Sequence, residues 1–160
     1  MNHSNIIQIN MGRIGISANG ETLKSILGSC VGIGLLWPDK NLYGLAHCLL
    51  PKAPENNEIR EEAKFVDQAV QALIEKMEIQ NKHKSSISAI IAGGASLIKE
   101  TVHESTSHIG KNNIYAARTA LKLFRLKIIF EDCGKNYGRQ IVIYGKNGEF
   151  EVTKIIQGPV

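Results

Sequence analysis

Leu27-Gly28-Ser29-Cys30-Val31-Gly32, the tetrapeptide Pro38-Asp39-Lys40-Asn41 and the run Gly44-Leu45-Ala46-His47-Cys48-Leu49-Leu50-Pro51 decide how this chain folds. Two apolar runs flank a polar turn. Pro presets φ, and Asp and Asn tolerate tight-turn geometry. The pattern predicts a β-hairpin in which Trp37 pairs with Leu42. Counting back along both strands sets Gly32 opposite His47 and Cys30 opposite Leu49. Cys30 and His47 are then diagonal neighbours on one face, roughly 7–8 Å apart between Cα atoms. A slip of one residue would send them to opposite faces.

That juxtaposition suits nucleophilic catalysis. The thiolate, not the thiol, is the reactive form of cysteine, and an adjacent imidazole can take its proton. The resulting ion pair would stabilise the thiolate. Gly28 lets the backbone turn sharply, and the N–H groups near Ser29 and Cys30 are candidate oxyanion donors. The competing role is burial, because free cysteine is commonly a small core hydrophobe. The pair by itself leaves both open.

The chain in order reads as follows. Ile6 to Ser17, broken by Gly12 and Gly15, predicts one or two short strands. Asn19-Gly20 marks a turn, and Thr22 to Leu27 predicts a strand leading into Cys30. After the hairpin, Pro51 to Asn57 carries two prolines and reads as a loop. Glu61 to Met77 predicts an amphipathic helix, with Val66, Ala69, Val70, Leu73, Ile74 and Met77 as its apolar stripe. Glu61 and Glu62 suit its N-terminal end. Glu78 to Ser85 is a polar connector, and Ile87 to Ile91 a buried strand ending at Gly93-Gly94. Ser96 to Ser107 is polar and loop-like. A second helix starts at a cap on Asn112 or Asn113 and runs to Phe124, with Ile114, Ala117, Leu121 and Phe124 facing the core. Lys127 to Glu131 is a strand, Gly134 to Gly138 a turn, and Arg139–Tyr144 with Glu149–Ile156 a hairpin. Hairpins mixed with two helices predict an α/β (mixed α+β) fold, with helices covering largely antiparallel sheets. With no linker or repeat, residues 1–160 read as a single domain.

Composition narrows the function. At 43% hydrophobic and 21% charged, the 160 residues are ordinary for a globular domain. Three cysteines without paired spacing suit a reducing compartment. No secretory leader and no run of about 20 apolar residues are evident, so the expected location is cytoplasmic, without membrane insertion. The net charge of +4 is spread out, and no aromatic residues are interleaved with it as a nucleic-acid platform requires. His103, Glu104 and His108 miss the i, i+4 spacing of a zinc-binding helix, so no metal site is expected. Gly93-Gly94 lacks the Lys-Ser/Thr of a phosphate-binding loop. His3 and His83 sit in polar context without a specific role. Cys48 points away from His47 and reads as buried.

Five segments in order resemble the chemoreceptor glutamine deamidases, the CheD family. The first is Leu27–Gly32 with the later Ala46-His47 and Leu50-Pro51. Ala63-Lys64-Phe65-Val66-Asp67-Gln68-Ala69-Val70 resembles the family's Lys-Tyr-x-Asp-x-Ala helix, and Ala92-Gly93-Gly94-Ala95 its Gly-Gly-Ala strand end. Ile109-Gly110-Lys111-Asn112-Asn113 resembles its Ile-Gly-x-Arg-Asn segment. Asp132-Cys133-Gly134 through Gly138-Arg139 resembles its Asp-Val-Gly-Gly…Gly-Arg block, with Cys133 where valine is common.

The resemblance implies a layered α/β sandwich with the cysteine and histidine in a surface cleft. It implies deamidation of glutamine side chains on methyl-accepting chemotaxis receptors through a cysteine thioester, with Cys30 as nucleophile and His47 as base. No cofactor is implied. The family's orienting threonine lies a few residues before the cysteine; here Ser25 keeps a hydroxyl near that place, with Thr22 as the second choice. A CheC-type chemotaxis phosphatase is the implied partner, and a non-catalytic regulator of that phosphatase is the alternative function.

Overall fold

A computed structural model describes residues 5–56, 61–97 and 108–156. The hairpin is at its centre. β4 (Val31–Trp37) and β5 (Leu42–Cys48) pair antiparallel, with Trp37 opposite Leu42 and Gly32 opposite His47. This is the register expected from the turn. Pro38–Lys40 forms one 3₁₀ turn, closed by the Asn41 N–H donating to Pro38 O at 3.0 Å. Asn41 takes φ 47°, a left-handed conformation that Asn enters more readily than most residues.

Seven further strands complete two sheets among the described residues. They are β1 (Ile6–Gln8), β2 (Ile14–Ser17), β3 (Thr22–Leu27), β6 (Ser88–Gly93), β7 (Lys127–Cys133), β8 (Arg139–Tyr144) and β9 (Phe150–Lys154). One sheet has the order β2-β5-β4-β6-β7, the other β1-β3-β8-β9. Only β6–β7 and β1–β3 run parallel, so the sheets are largely antiparallel, as expected. The helices α1 (Val66–Lys76) and α2 (Ile109–Leu123) cover the outer face of the five-stranded sheet. The result is a three-layer mixed α/β sandwich.

β4 is buried along its whole length, which explains its unbroken apolar sequence. Val31, Ile33 and Leu35 face the helices and pack with Val66, Val70, Leu73 and Leu121. Leu36 faces the second sheet with Leu23, Leu27, Ile141 and Ile143. Gly32 and Gly34 share that inner face and leave room for the opposing sheet. A Cβ on Gly34 would stand 2.7 Å from Ile90 Cγ1 and 2.9 Å from Ile143 Cδ1.

Both helices start elsewhere than the sequence suggests. α1 begins at Val66, not Glu61, because Phe65 is extended (φ −111°, ψ 131°) and bridges Leu50. The N–H groups of Leu49 and Leu50 both donate to Lys64 O at 3.0 Å. Glu62 therefore serves tertiary structure. It accepts from the Ile14 N–H at 3.1 Å and pairs with Lys76 at 3.0 Å. α2 begins at Ile109, so Asn112 and Asn113 lie inside it and do not cap it. Its first turn reaches the β6 end because Gly110 has no side chain; a Cβ there would collide with the carbonyls of Gly94 and Ala95. The stripes themselves match expectation, with Val66, Ala69, Val70 and Leu73 buried on α1 and Ile114, Ala117 and Leu121 on α2.

The connector after α1 holds a 3₁₀ segment, Asn81–Ser86. His83 has a role there that its polar context did not suggest. Its Nδ1 accepts from the Gln80 N–H at 3.0 Å, and its ring lies 4.7 Å from that of Trp37. The loop expected over 96–107 falls outside the described residues except for Ser96 and Leu97, as does His103.

Overpacking a close-packed interior typically costs about 1–3 kcal/mol. Gly34→Ala is expected to lower stability by about that amount, read as a drop in the urea midpoint with unchanged slope. An unchanged midpoint would show that the sheets can part without penalty.

Candidate active site

Alternation along two strands assembles the polar centre. On β3, Leu23, Ser25 and Leu27 face the second strand layer; on β5, Tyr43, Leu45 and His47 face back. Ser25 is fully buried and His47 nearly so. Ser25 Oγ lies 2.7 Å from His47 Nδ1 and 2.7 Å from Ile9 O, and Nδ1 lies 3.2 Å from that same carbonyl. Thr22 sits three residues back on the opposite face of β3 and lines a separate pocket with Tyr144 and Glu149. Of the two hydroxyl candidates, the structure brings only Ser25 to the histidine.

The three-way contact sets the histidine tautomer. A carbonyl oxygen only accepts, and Ser25 has one proton to give. Ser25 O–H therefore donates to Ile9 O, and His47 Nδ1–H donates to Ser25 Oγ. Nε2 is left with its lone pair. It is buried and has no hydrogen-bond partner among the described residues. His47 is also held by its backbone, its N–H donating to Arg13 O at 3.0 Å and its carbonyl accepting from Gly12 N–H at 2.8 Å.

Cys30 stands one residue before β4, at the end of the Gly28-Ser29 loop, and is part-buried. The loop is fastened from behind. Gly94 N–H donates to Cys30 O at 2.8 Å and Ala95 N–H to Gly28 O at 3.0 Å. Gly93 and Gly94 have φ of 104° and 69°, and a Cβ on Gly93 would collide with Cys30 O. Only glycine combines that φ with that approach. Gly134 N–H donates to Gly93 O at 2.9 Å, and buried Arg139 holds this next loop through Asp132 Oδ1 (3.0 Å) and Gly134 O (2.8 Å).

Asn113 joins the two halves of the site. Its Nδ2 donates to Ser29 O at 3.1 Å and to Leu49 O at 2.9 Å, tying the residue before Cys30 to the segment after His47. The sequence offers this residue, with Asn112, as a helix cap, whereas it lies within α2. Its signal was periodicity: Asn113, Ala117, Ala120 and Leu121 lie on one helical face, which is the buried one. An asparagine on that face needs partners.

Residues 49–154 match the model of a family described as CheD chemotactic sensory transduction. A probable chemoreceptor glutamine deamidase CheD of Bdellovibrio bacteriovorus is 35% identical, across 92% of this chain and 93% of its own. This chain belongs to the CheD family. Similar proteins include a probable chemoreceptor glutamine deamidase CheD 2 of Ruegeria sp. (31% identical; 93% of this chain, 92% of that one). Another is the probable chemoreceptor glutamine deamidase CheD of Methanococcus vannielii (34% identical; 93% and 95%). The matched span of the family model starts after His47, so Ser25, Cys30 and His47 of this CheD chain stand on their geometry.

Cys30 and His47 open onto one cleft of about 550 Å³, lined also by Gly28, Ser29, Asn10 and Met11. A groove of about 410 Å³ between α1 and α2 is lined by Tyr115, Leu123 and Phe124, and none of its described lining residues is cysteine or histidine. Burial pushes the Cys30 thiol up, partly offset by its own backbone N–H. Burial pushes His47 down, opposed by the Ile9 carbonyl. Both directions favour a neutral thiol beside a neutral imidazole, rather than a standing ion pair. The other cysteines face away. Cys48 is fully buried against the helices, and burial pushes its thiol far up. Burial pushes Cys133 up to about 11, with its Sγ 3.7 Å from Ile91 O.

Two expectations follow for this family member. Asn113→Leu keeps the volume but strands two carbonyls, so it is expected to cost about 1–3 kcal/mol in chemical unfolding; a neutral result would show that those carbonyls find water. Buried His47 prefers to stay neutral, so the unfolded chain takes up a proton that the folded one refuses. Stability should therefore decline as pH falls below the ordinary imidazole value of 6.5, and less steeply in His47→Gln. Equal slopes from pH 7 to 5 would contradict that assignment.

Proposed function

We propose that this chain deamidates glutamine side chains of chemoreceptors in the cytoplasm, with Cys30 as nucleophile, His47 as general base and Ser25 as the residue that orients the base. The observation that supports it most is the Ser25–His47–Ile9 hydrogen-bond set, which leaves Nε2 as an unpaired acceptor in the cleft that contains Cys30. The names of the similar proteins point to the same activity.

The steps follow from the neutral resting pair. As Cys30 Sγ attacks the glutamine Cδ, its proton passes to His47 Nε2. The carboxamide oxygen becomes an oxyanion, for which the N–H groups of Ser29 and Cys30 are the nearest candidate donors in sequence. The imidazolium returns its proton to the leaving nitrogen, and ammonia departs from a glutamyl thioester. Water, deprotonated by Nε2, then attacks the thioester carbon. Glutamate leaves, and the thiol recovers its proton. The chemistry needs a thiol, a base and water. Ser25 keeps Nδ1 protonated, so that the lone pair of the resting imidazole is on Nε2.

A regulator that only bound a CheC-type phosphatase would have no use for an unpaired buried base beside a thiol. Deamidation is therefore the preferred reading, and phosphatase binding is a separate property that Cys30→Ala should leave intact.

Mass spectrometry of a receptor cytoplasmic fragment incubated with the protein tests this. Conversion of glutamine to glutamate is expected at defined sites, absent with Cys30→Ala and with His47→Ala. Ser25→Ala should retain activity reduced about tenfold to hundredfold, the kinetic equivalent of one buried hydrogen bond. Full activity of Cys30→Ala would end the thioester mechanism.

A further inference from the structure

The rim of the Cys30 cleft is unusual for this surface. Three large apolar side chains on it face solvent: Met11 is 64% exposed, Ile26 54% and Leu97 55%. None of the ten described residues lining the cleft is Asp, Glu, Lys or Arg, although these make up 21% of the chain.

Each of the three is tied to the reactive groups. Met11 lies on the segment that receives Ser25 O–H at Ile9 O and donates Gly12 N–H to His47 O. Ile26 follows Ser25 directly on β3. Leu97 covers Gly28, where a Cβ would come 3.0 Å from Leu97 Cδ1. The rim therefore holds a fixed relation to Cys30 and His47.

We propose that Met11, Ile26 and Leu97 form an apolar collar that selects glutamines whose neighbours on the substrate are uncharged. This rests on the deamidase reading of the cleft. A substrate that brings its glutamine to Cys30 must bury its flanking side chains against the collar. Small or aliphatic flanks gain contact there. A Lys or Asp flank loses hydration and meets no counter-charge among the described lining residues, which is a penalty without compensation. The same cleft treats reactant and product differently. The neutral carboxamide enters freely, whereas the glutamate carboxylate finds no Lys or Arg among the described lining residues, which favours release.

The test uses a receptor cytoplasmic fragment in which the residues three and four positions either side of one deamidated glutamine, its neighbours on a shared helix face, are set to Ala, Leu, Lys or Asp. Rates are read by mass spectrometry with the full-length protein. Lys and Asp flanks are expected to lower kcat/KM at least about tenfold against Ala or Leu, the scale on which an apolar contact discriminates. Met11→Glu and Leu97→Glu should shift preference towards Lys-flanked glutamines, an inversion that general loss of structure cannot produce. Equal rates on all four flanks, or variants that keep the wild-type preference, would overturn the collar and leave the deamidase reading standing. A wild-type protein inactive on every fragment would end both.

Discussion

Everything in this fold is arranged around a strand that touches water on neither face. β4 packs helices on one side and a second sheet on the other, and its inner face presents two glycines, Gly32 and Gly34, followed by Leu36. Gly32 and Gly34 let the second sheet approach to where Ile143 nearly touches the β4 backbone. That closeness allows Ser25, on one sheet, to reach His47, on the other, at hydrogen-bonding distance. Larger residues at the two glycines would separate the layers and dissolve the contact, with no change to the polar residues themselves.

Between those layers, polar groups are few and each constrains the next. The carbonyl of Ile9 takes the Ser25 proton, and Ser25 Oγ takes the His47 proton. Burial holds the imidazole neutral and the thiol protonated. Both groups thus rest uncharged, in a cleft none of whose described lining residues is Asp, Glu, Lys or Arg. Elsewhere the molecule buries an ion where it needs rigidity. Arg139 is fully enclosed and bonded to Asp132 and to two loop carbonyls, bracing the glycine pair behind Cys30.

The hairpin register was legible in the sequence because Pro, Asp and Asn leave few ways to turn, and every strand residue follows from the turn. The strands and both apolar stripes were legible for the same reason, since period alone specifies a face. Helix starts were not. Glu61 and Glu62 look like first-turn acids, yet Glu62 is engaged by Ile14 and Lys76, partners 48 residues before it in one case and across the helix in the other. Asn112-Asn113 looks like a cap because asparagine favours caps, whereas the tight place that determines the helix start is occupied by Gly110. The choice of Ser25 over Thr22 required knowing which face of β3 looks inward. The bracing role of Asn113 is a tertiary fact, since its partners lie 84 and 64 residues away.

Asn113 and Gly110 together have an evolutionary corollary. The start of α2 is docked by its own residues, one fitting against the Gly94–Ala95 backbone and the other latching onto Ser29 and Leu49. The helix thus finds its seat whatever connection leads to it, and loop closure penalties grow only slowly with length. Gly94 and Ala95 are fixed by their bonds to Cys30 O and Gly28 O, whereas a change of chain length between Leu97 and α2 should accordingly leave the Cys30 loop undisturbed. Insertions and deletions among relatives should accumulate there, while the two residues that key the helix in place stay locked.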